Sequence, residues 1–245
     1  MLVATILSLG LILRPFTLSL LGVLATSTLH AQHVNFGVKA GLNASTYAGS
    51  DVPNPRFRLG PAAGLFVRLP LGQHLALQPE LLYEQRGART TSTQLFLGYD
   101  SPGILYRLRR TNRTHYVALP VLTRWHVRRF FALTGPQLSY LLGTWRRTET
   151  QVMLLGNTAG SFYDPAYPTS STSTERGTGY YHRWELGYVV GLGYQVSSRL
   201  SAELRYAAGL TNLLQSQRGL TGYEFPQQPR NSTLEAQVSY QLGTL

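Results

Sequence analysis

Ten charged residues sit at alternate positions in segments whose other alternate positions are apolar. Lys39, Arg68, Arg86, Arg124 and Arg205 are cationic; Glu80, Glu84, Glu185, Glu203 and Glu235 are anionic. Both signs on one face could line an ion path. They could also lock together as a filled interior, because a charge withdrawn from water must be paired. A second, external set of arginines lies in the polar stretches between these segments or at a segment's outer end: Arg89, Arg107, Arg109, Arg110, Arg113, Arg146, Arg147, Arg176 and Arg183. The planar guanidinium fork matches phosphate, so this set is expected to bind anions on surface lipid or an acidic partner. Five histidines follow residue 31: His33, His74, His115, His126 and His182. None has metal-motif spacing, and no Ser–His–acid set can be assembled from spacing alone. The expectation is a non-enzymatic protein with no cofactor and no catalytic or metal site.

The segments that carry the ten charges read as strands. In Leu75–Glu84, Leu75, Leu77, Pro79, Leu81 and Tyr83 share one face, and Ala76, Gln78, Glu80, Leu82 and Glu84 the other. Period-2 alternation is the mark of a strand with two unlike faces. It recurs in Val34–Ser45, Arg58–Leu69, His74–Arg86, Thr114–Val127, Phe130–Trp145, Tyr181–Val196, Leu200–Leu210 and Ser232–Leu242. Pro120 cannot donate a ladder hydrogen bond, so a bulge is expected there.

The connections alternate in length. Short turns fall at Pro70–Gln73, Arg128–Arg129 and Ser197–Arg199. Long loops are expected at Thr46–Phe57, Gly87–Asn112, Arg146–Gly179 and Thr211–Arg230, with a mobile Ser/Thr run at Thr169–Thr174. Short periplasmic turns, long extracellular loops and an even strand count characterise bacterial outer-membrane barrels. The apolar faces carry almost no charge, as lipid contact requires. Phe36, Tyr83, Trp125, Tyr140, Trp184, Tyr194, Tyr206 and Tyr240 lie on those faces, many near strand ends, as in an interfacial girdle.

Composition agrees. The 245 residues include no cysteine, which excludes disulfides, thiol chemistry and thiolate metal sites. Charged residues make up 13%, against about 25% in a typical soluble domain. The net charge of +11 is almost all arginine, Lys39 being the lone lysine. An exported chain with scattered arginines does not read as a nucleic-acid binder. Phe16–Thr28 is an apolar run behind Arg14, and Leu29-His30-Ala31 is an acceptable cleavage site. Residues 1–31 are therefore expected to be a signal peptide, and 32–245 one barrel domain.

The chain resembles the PorT-like outer-membrane β-barrel proteins. The matching pieces are VNFGVKAGLNAS (Val34–Ser45), GLFVRLPL with LALQPELLYEQRG, HYVALPVLTRW (His115–Trp125), GPQLSYLLG (Gly135–Gly143), WELGYVVGLGYQV (Trp184–Val196) and LSAELRYAAGLTNL (Leu200–Leu213). Ala118 stands where that family often has glutamate. The resemblance implies an outer-membrane location and a barrel fold, and faintly a role in protein secretion.

The expected architecture is all-β: an eight-stranded antiparallel up-and-down transmembrane β-barrel. Its charged lumen is expected to be plugged, because eight strands leave room only for side chains. Expected partners are outer-membrane lipids, lipopolysaccharide and secretion or surface proteins. The alternatives are a small passive porin-like channel, and a lipid-modifying enzyme or protease of the outer membrane.

Overall fold

The computed structural model describes residues 34–49, 52, 54–96, 103–155, 170–214 and 229–244. The expected leader, 1–31, lies outside them. The described residues form ten strands: β1 (Asn35–Ala48), β2 (Arg58–Pro70), β3 (Leu75–Arg86), β4 (Arg89–Phe96), β5 (Gly103–Val127), β6 (Phe130–Leu155), β7 (Ser170–Arg176), β8 (Trp184–Gln195), β9 (Leu200–Gly209) and β10 (Arg230–Thr244).

Eight of them close a ring. Antiparallel pairing runs β1–β2–β3–β5–β6–β8–β9–β10, and β10 returns to β1 along a seam from Asn35↔Thr244 to Ala48↔Arg230. Closure removes every free edge in the wall, which hydrocarbon demands. The other two strands, β4 and β7, pair with the outer halves of β5 and β6, and Arg89 at the start of β4 also bridges Arg56. There the wall continues upward as a four-stranded extension, β4–β5–β6–β7.

Alternation sets which side chain faces where. Along β10, Asn231, Thr233, Glu235, Gln237 and Ser239 are buried while Leu234, Val238 and Tyr240 are exposed. Across the barrel Leu192 is 71% exposed and Glu84 0%. A soluble barrel would bury the leucine and expose the glutamate. The inverted arrangement fits a wall whose outside is lipid. Trp125 near the C-terminal end of β5 and His115 at its middle, hydrogen-bonded to Tyr83 at 2.7 Å, mark the limits of this apolar strip. At a rise of about 3.4 Å per residue and ~40° tilt they are about 26 Å apart in height, close to the thickness of the apolar band of such barrels.

Several expected boundaries move. Gly87–Asn112 is not a loop: it holds β4 and the first part of β5, paired from Arg89↔Thr111 to Phe96↔Ile104. Arg146–Gly179 is likewise strand in part, since β6 runs to Leu155 and Ser170–Thr174 belongs to β7. The described part of the Ser/Thr run, Ser170–Thr174, is thus held by ladder pairing to β6 rather than mobile, while Thr169 lies outside the described residues. His74 lies in the turn before β3, and β8 begins at Trp184 rather than Tyr181. No register shift occurs at Pro120. The β3–β5 ladder is instead interrupted between Pro79↔Val121 and Leu82↔Ala118 and resumes in the same register, because a missing N–H removes a bond without requiring an extra residue. The shift lies at His115/Tyr116, where β6 carries Leu142 as the additional residue.

Candidate functional site

Two charged regions stand out: the lumen and the outer extension.

All ten inward charges named from sequence are buried: Lys39, Arg68, Glu80, Glu84, Arg86, Arg124, Glu185, Glu203, Arg205 and Glu235. Four form a central knot. Arg205 on β9 grips Glu80 on β3 with both terminal nitrogens, Nη1 to Oε2 at 2.8 Å and Nη2 to Oε1 at 2.6 Å. β3 and β9 lie on opposite sides of the eight-membered ring, so this fork spans the lumen. Lys39 donates to Glu80 at 2.8 Å and also contacts Glu203. Arg205 Nη2 lies 2.9 Å from Glu203 Oε1. Glu203 is held by proximity of charge, for neither carboxylate oxygen receives a well-directed hydrogen bond.

Above the knot, toward the long-connection end, Arg86 pairs with Glu84 and crosses to Glu185 on β8 at 3.0 Å. Asn231 donates to Glu185 at 2.6 Å and reaches the Tyr116 hydroxyl at 3.4 Å. Over this layer Tyr47, Ala88, Tyr116, Leu141, Tyr181 and Leu213 form an apolar cap. Below the knot, Gln78 acts as a hub: its Oε1 accepts from Arg68 at 3.1 Å and Arg124 at 3.2 Å, and its Nε2 donates to Glu80 at 2.6 Å. Arg124 stacks on Phe131 and donates to His126 at 2.7 Å. Arg68 lies over Phe66.

The five-and-five balance therefore does not resolve into five pairs. Among the described residues Arg68 and Arg124 meet no carboxylate within ion-pair distance, and Glu235 meets no cation, only the Gln237 amide at 2.9 Å. The two arginines sit near the periplasmic end, and Glu235, although it lies between Asn43 on β1 and Arg205 on β9, finds the Arg205 guanidinium already turned to Glu80 and Glu203. Asn231 and Phe131 were not among the residues named from sequence, and Gln78 was named only as part of the polar face of its strand. Only the partner strands' register shows that they complete the network.

The outer extension is built differently. Along β5 the odd-numbered residues face out of the barrel, and this continues upward through Arg113, Thr111, Arg109 and Arg107. They pair with Trp145, Arg147, Glu149 and Gln151 of β6. The extra residue at Leu142 turns these β6 side chains outward, whereas Leu133, Gln137, Ser139 and Leu141 below it face the lumen. Arg89 of β4 lies beside Thr111, and Arg176 of β7 beside Trp145. One outward cleft of about 300 Å³ results, lined by Arg89, Arg109, Thr111, Arg113, Trp145, Arg147 and Glu149. The guanidinium carbons of Arg113 and Arg176 each lie 5.2 Å from the Trp145 ring centre. Arg147 pairs with Glu149 at 3.1 Å. Arg89, Arg109 and Arg113 have no ion-pair partner among the described residues.

The remaining arginines expected to bind anions are dispersed. Arg107 lies higher on the outward face. Arg110 and Arg146 lie on the other face of the extension. Arg146 is committed there to the Tyr181 hydroxyl at 3.1 Å and to Glu175 at 3.7 Å. Burial opposes its charge, but Tyr181 and Glu175 outweigh that and raise its pKa above the ordinary guanidinium value. Arg183 donates to the Tyr140 hydroxyl at 3.0 Å and Thr178 at 3.1 Å. Trp145, Thr111 and Glu149 were missed by sequence reading. Their signal was the period-2 spacing of Arg107, Arg109, Thr111 and Arg113, which carries strand alternation beyond the apolar region.

Among the described histidines, His115 bonds Tyr83 and His126 bonds Arg124. No group of metal-binding side chains occurs among the described residues.

Comparison with curated proteins finds no match. Among solved structures the chain is similar to Neisserial surface protein A, with 14% identity, 84% of this chain and 97% of that one covered, and a TM-score of 0.36. It is also similar to the attachment invasion locus protein Ail of Yersinia pestis, solved with the heparin analogue sucrose octasulfate, with 9% identity, 86% and 99% covered, and a TM-score of 0.36. The outer membrane protease OmpT of Escherichia coli matches at 8% identity, with 86% and 95% covered and a TM-score of 0.29. The family model described as "Outer membrane protein beta-barrel domain" matches residues 30–215. With its closed antiparallel wall, apolar outside and charged inside, this chain belongs to that outer membrane protein β-barrel family and resides in the bacterial outer membrane.

Proposed function

We propose that this barrel is non-enzymatic and non-conducting, and that its arginine-bearing outer surface contacts lipopolysaccharide or acidic secretion or surface proteins. The Arg205–Glu80 fork carries the first half of this reading. It ties opposite walls together at mid-lumen, with Lys39 and Glu203 filling the same level. An eight-stranded wall leaves little space beside such a knot. The apolar cap supports the same conclusion at the outer mouth. The histidine partners support the non-enzymatic reading, since neither His115 nor His126 is hydrogen-bonded to a serine and a carboxylate. The PorT-like sequence resemblance favours a place near protein secretion.

Planar-bilayer recording on the refolded barrel tests the closed lumen. The expected trace shows no unitary steps in potassium chloride. Reproducible steps from the unaltered protein would replace the plug with a porin-like channel.

A further inference from the structure

The outward cleft stands above the lipid-facing surface of the wall. Directly beneath it on the same face of the wall runs the lipid-facing strip: Val117, Leu119 and Val121 on β5, flanked by Leu81 of β3 and Leu138 of β6. Leu81, Leu119, Val121 and Leu138 are all exposed. Arg113 lies about 5 Å and Arg109 about 16 Å above the His115–Tyr83 level, taking a rise of about 3.4 Å per residue and ~40° tilt. Cationic forks therefore stand over an acyl-chain surface, at headgroup height and just above it.

We propose that this wall holds a laterally bound lipopolysaccharide molecule. Its acyl chains lie on the β3–β5–β6 strip, and its phosphates and phosphorylated inner sugars enter the cleft between Arg89, Arg109, Arg113 and Arg147. The proposal rests on the outer arginines acting as an anion-binding surface and names what they bind. Three observations carry it. The cleft opens sideways, onto the leaflet, because its side chains continue the outward face of the wall rather than the lumen face. Its charge is uncompensated: four guanidiniums face one carboxylate, Glu149, which Arg147 already holds. Trp145, flanked by Arg113 and Arg176, offers a ring at the height of the first sugars. The opposite face of the same sheet differs, for Arg146 there is taken by Tyr181 and Glu175.

The test uses the full barrel in phospholipid nanodiscs and three probes: phosphorylated lipopolysaccharide, the same material with its phosphates removed, and soluble polyphosphate. Binding of the first is expected to exceed binding of the other two by at least about tenfold, and Arg109→Glu/Arg147→Glu to lower it by at least about tenfold. Arg110→Glu, on the opposite face, is expected to leave it within about twofold. Each variant is first shown to be folded by its shift on heated and unheated gels. Equal binding of polyphosphate and lipopolysaccharide would overturn the lateral site and leave an open anion-binding surface. Binding of no probe would overturn both, and capture of an acidic protein by that same unliganded barrel would assign the face to a protein partner.

Discussion

The lumen and the outer extension use the same residue in opposite ways. Arg205 and Arg147 both sit on strands and both face a glutamate. Arg205 is 1% exposed, with its charge consumed by Glu80 and Glu203. Arg147 is exposed, and its neighbours Arg89, Arg109 and Arg113 repel it rather than satisfy it. An ion pair without water cannot lose a partner cheaply, whereas a surface pair barely registers in stability. The lumen arginines are thus part of how the barrel holds its shape. The outer ones do little for the fold and remain available for binding.

The sharpest way to break this contrast is to remove one carboxylate from each region. Glu80→Ala leaves Lys39 and Arg205 facing each other with only Glu203 between them, and is expected to cost about 3–5 kcal/mol. Glu149→Ala is expected to cost under about 1 kcal/mol. Denaturant unfolding in detergent, followed by the gel shift of the folded barrel, reads both. Similar losses would mean that the lumen network is no more than a solvated charge pair.

A smaller effect is expected from crowding. A Cβ added at Gly193 would run into the Phe131 ring, which Arg124 stacks upon, whereas one at Gly143, near the extension, would meet nothing within 4 Å. Gly193→Leu is expected to cost about 1–3 kcal/mol by overpacking, and Gly143→Leu far less. The same unfolding measurement compares them, and equal costs would show that the lower lumen is not tightly packed.

The smallest stability change belongs to the cleft itself. Arg147→Glu is expected to alter stability by less than about 0.5 kcal/mol. Its anion binding should nonetheless weaken and lose much of its dependence on salt. A titration at two ionic strengths checks this. A variant that misfolds instead would place Arg147 with the structural charges.

The sequence made the membrane-spanning wall legible because its two faces meet different media. Leu75 through Glu84 alternates apolar with polar because lipid lies on one side and the packed lumen on the other. That contrast ends above His115. Neither face of the extension is continuously apolar, so Arg89–Phe96 and Ser170–Arg176 carry strands without hydrophobic alternation and read as loops. The ten lumen charges were visible for the same reason as the wall. Their partners were not, since the Arg205–Glu80 contact joins residues on opposite walls and depends on how the ring is sheared. The extra residue at Leu142 was equally hidden, because a bulge exists only relative to a neighbouring strand.

The seam between β1 and β10 also governs how the molecule comes into being. It joins the first and last strands, from Asn35↔Thr244 to Ala48↔Arg230. Until β10 has docked, the wall is an open sheet with two raw edges, and exposed peptide groups at such edges are strongly disfavoured in hydrocarbon. A chain stopped before Arg230 is therefore not a seven-stranded version of this barrel but an intermediate that lipid rejects. Growth is sequential, while stability arrives at a single closing event. Because the first and last strands of the wall meet in that seam, the ring has no privileged starting strand. A wall opened instead at the Arg128–Arg129 turn, with Asn35 and Thr244 linked, would enclose the same lumen and close it at a different place.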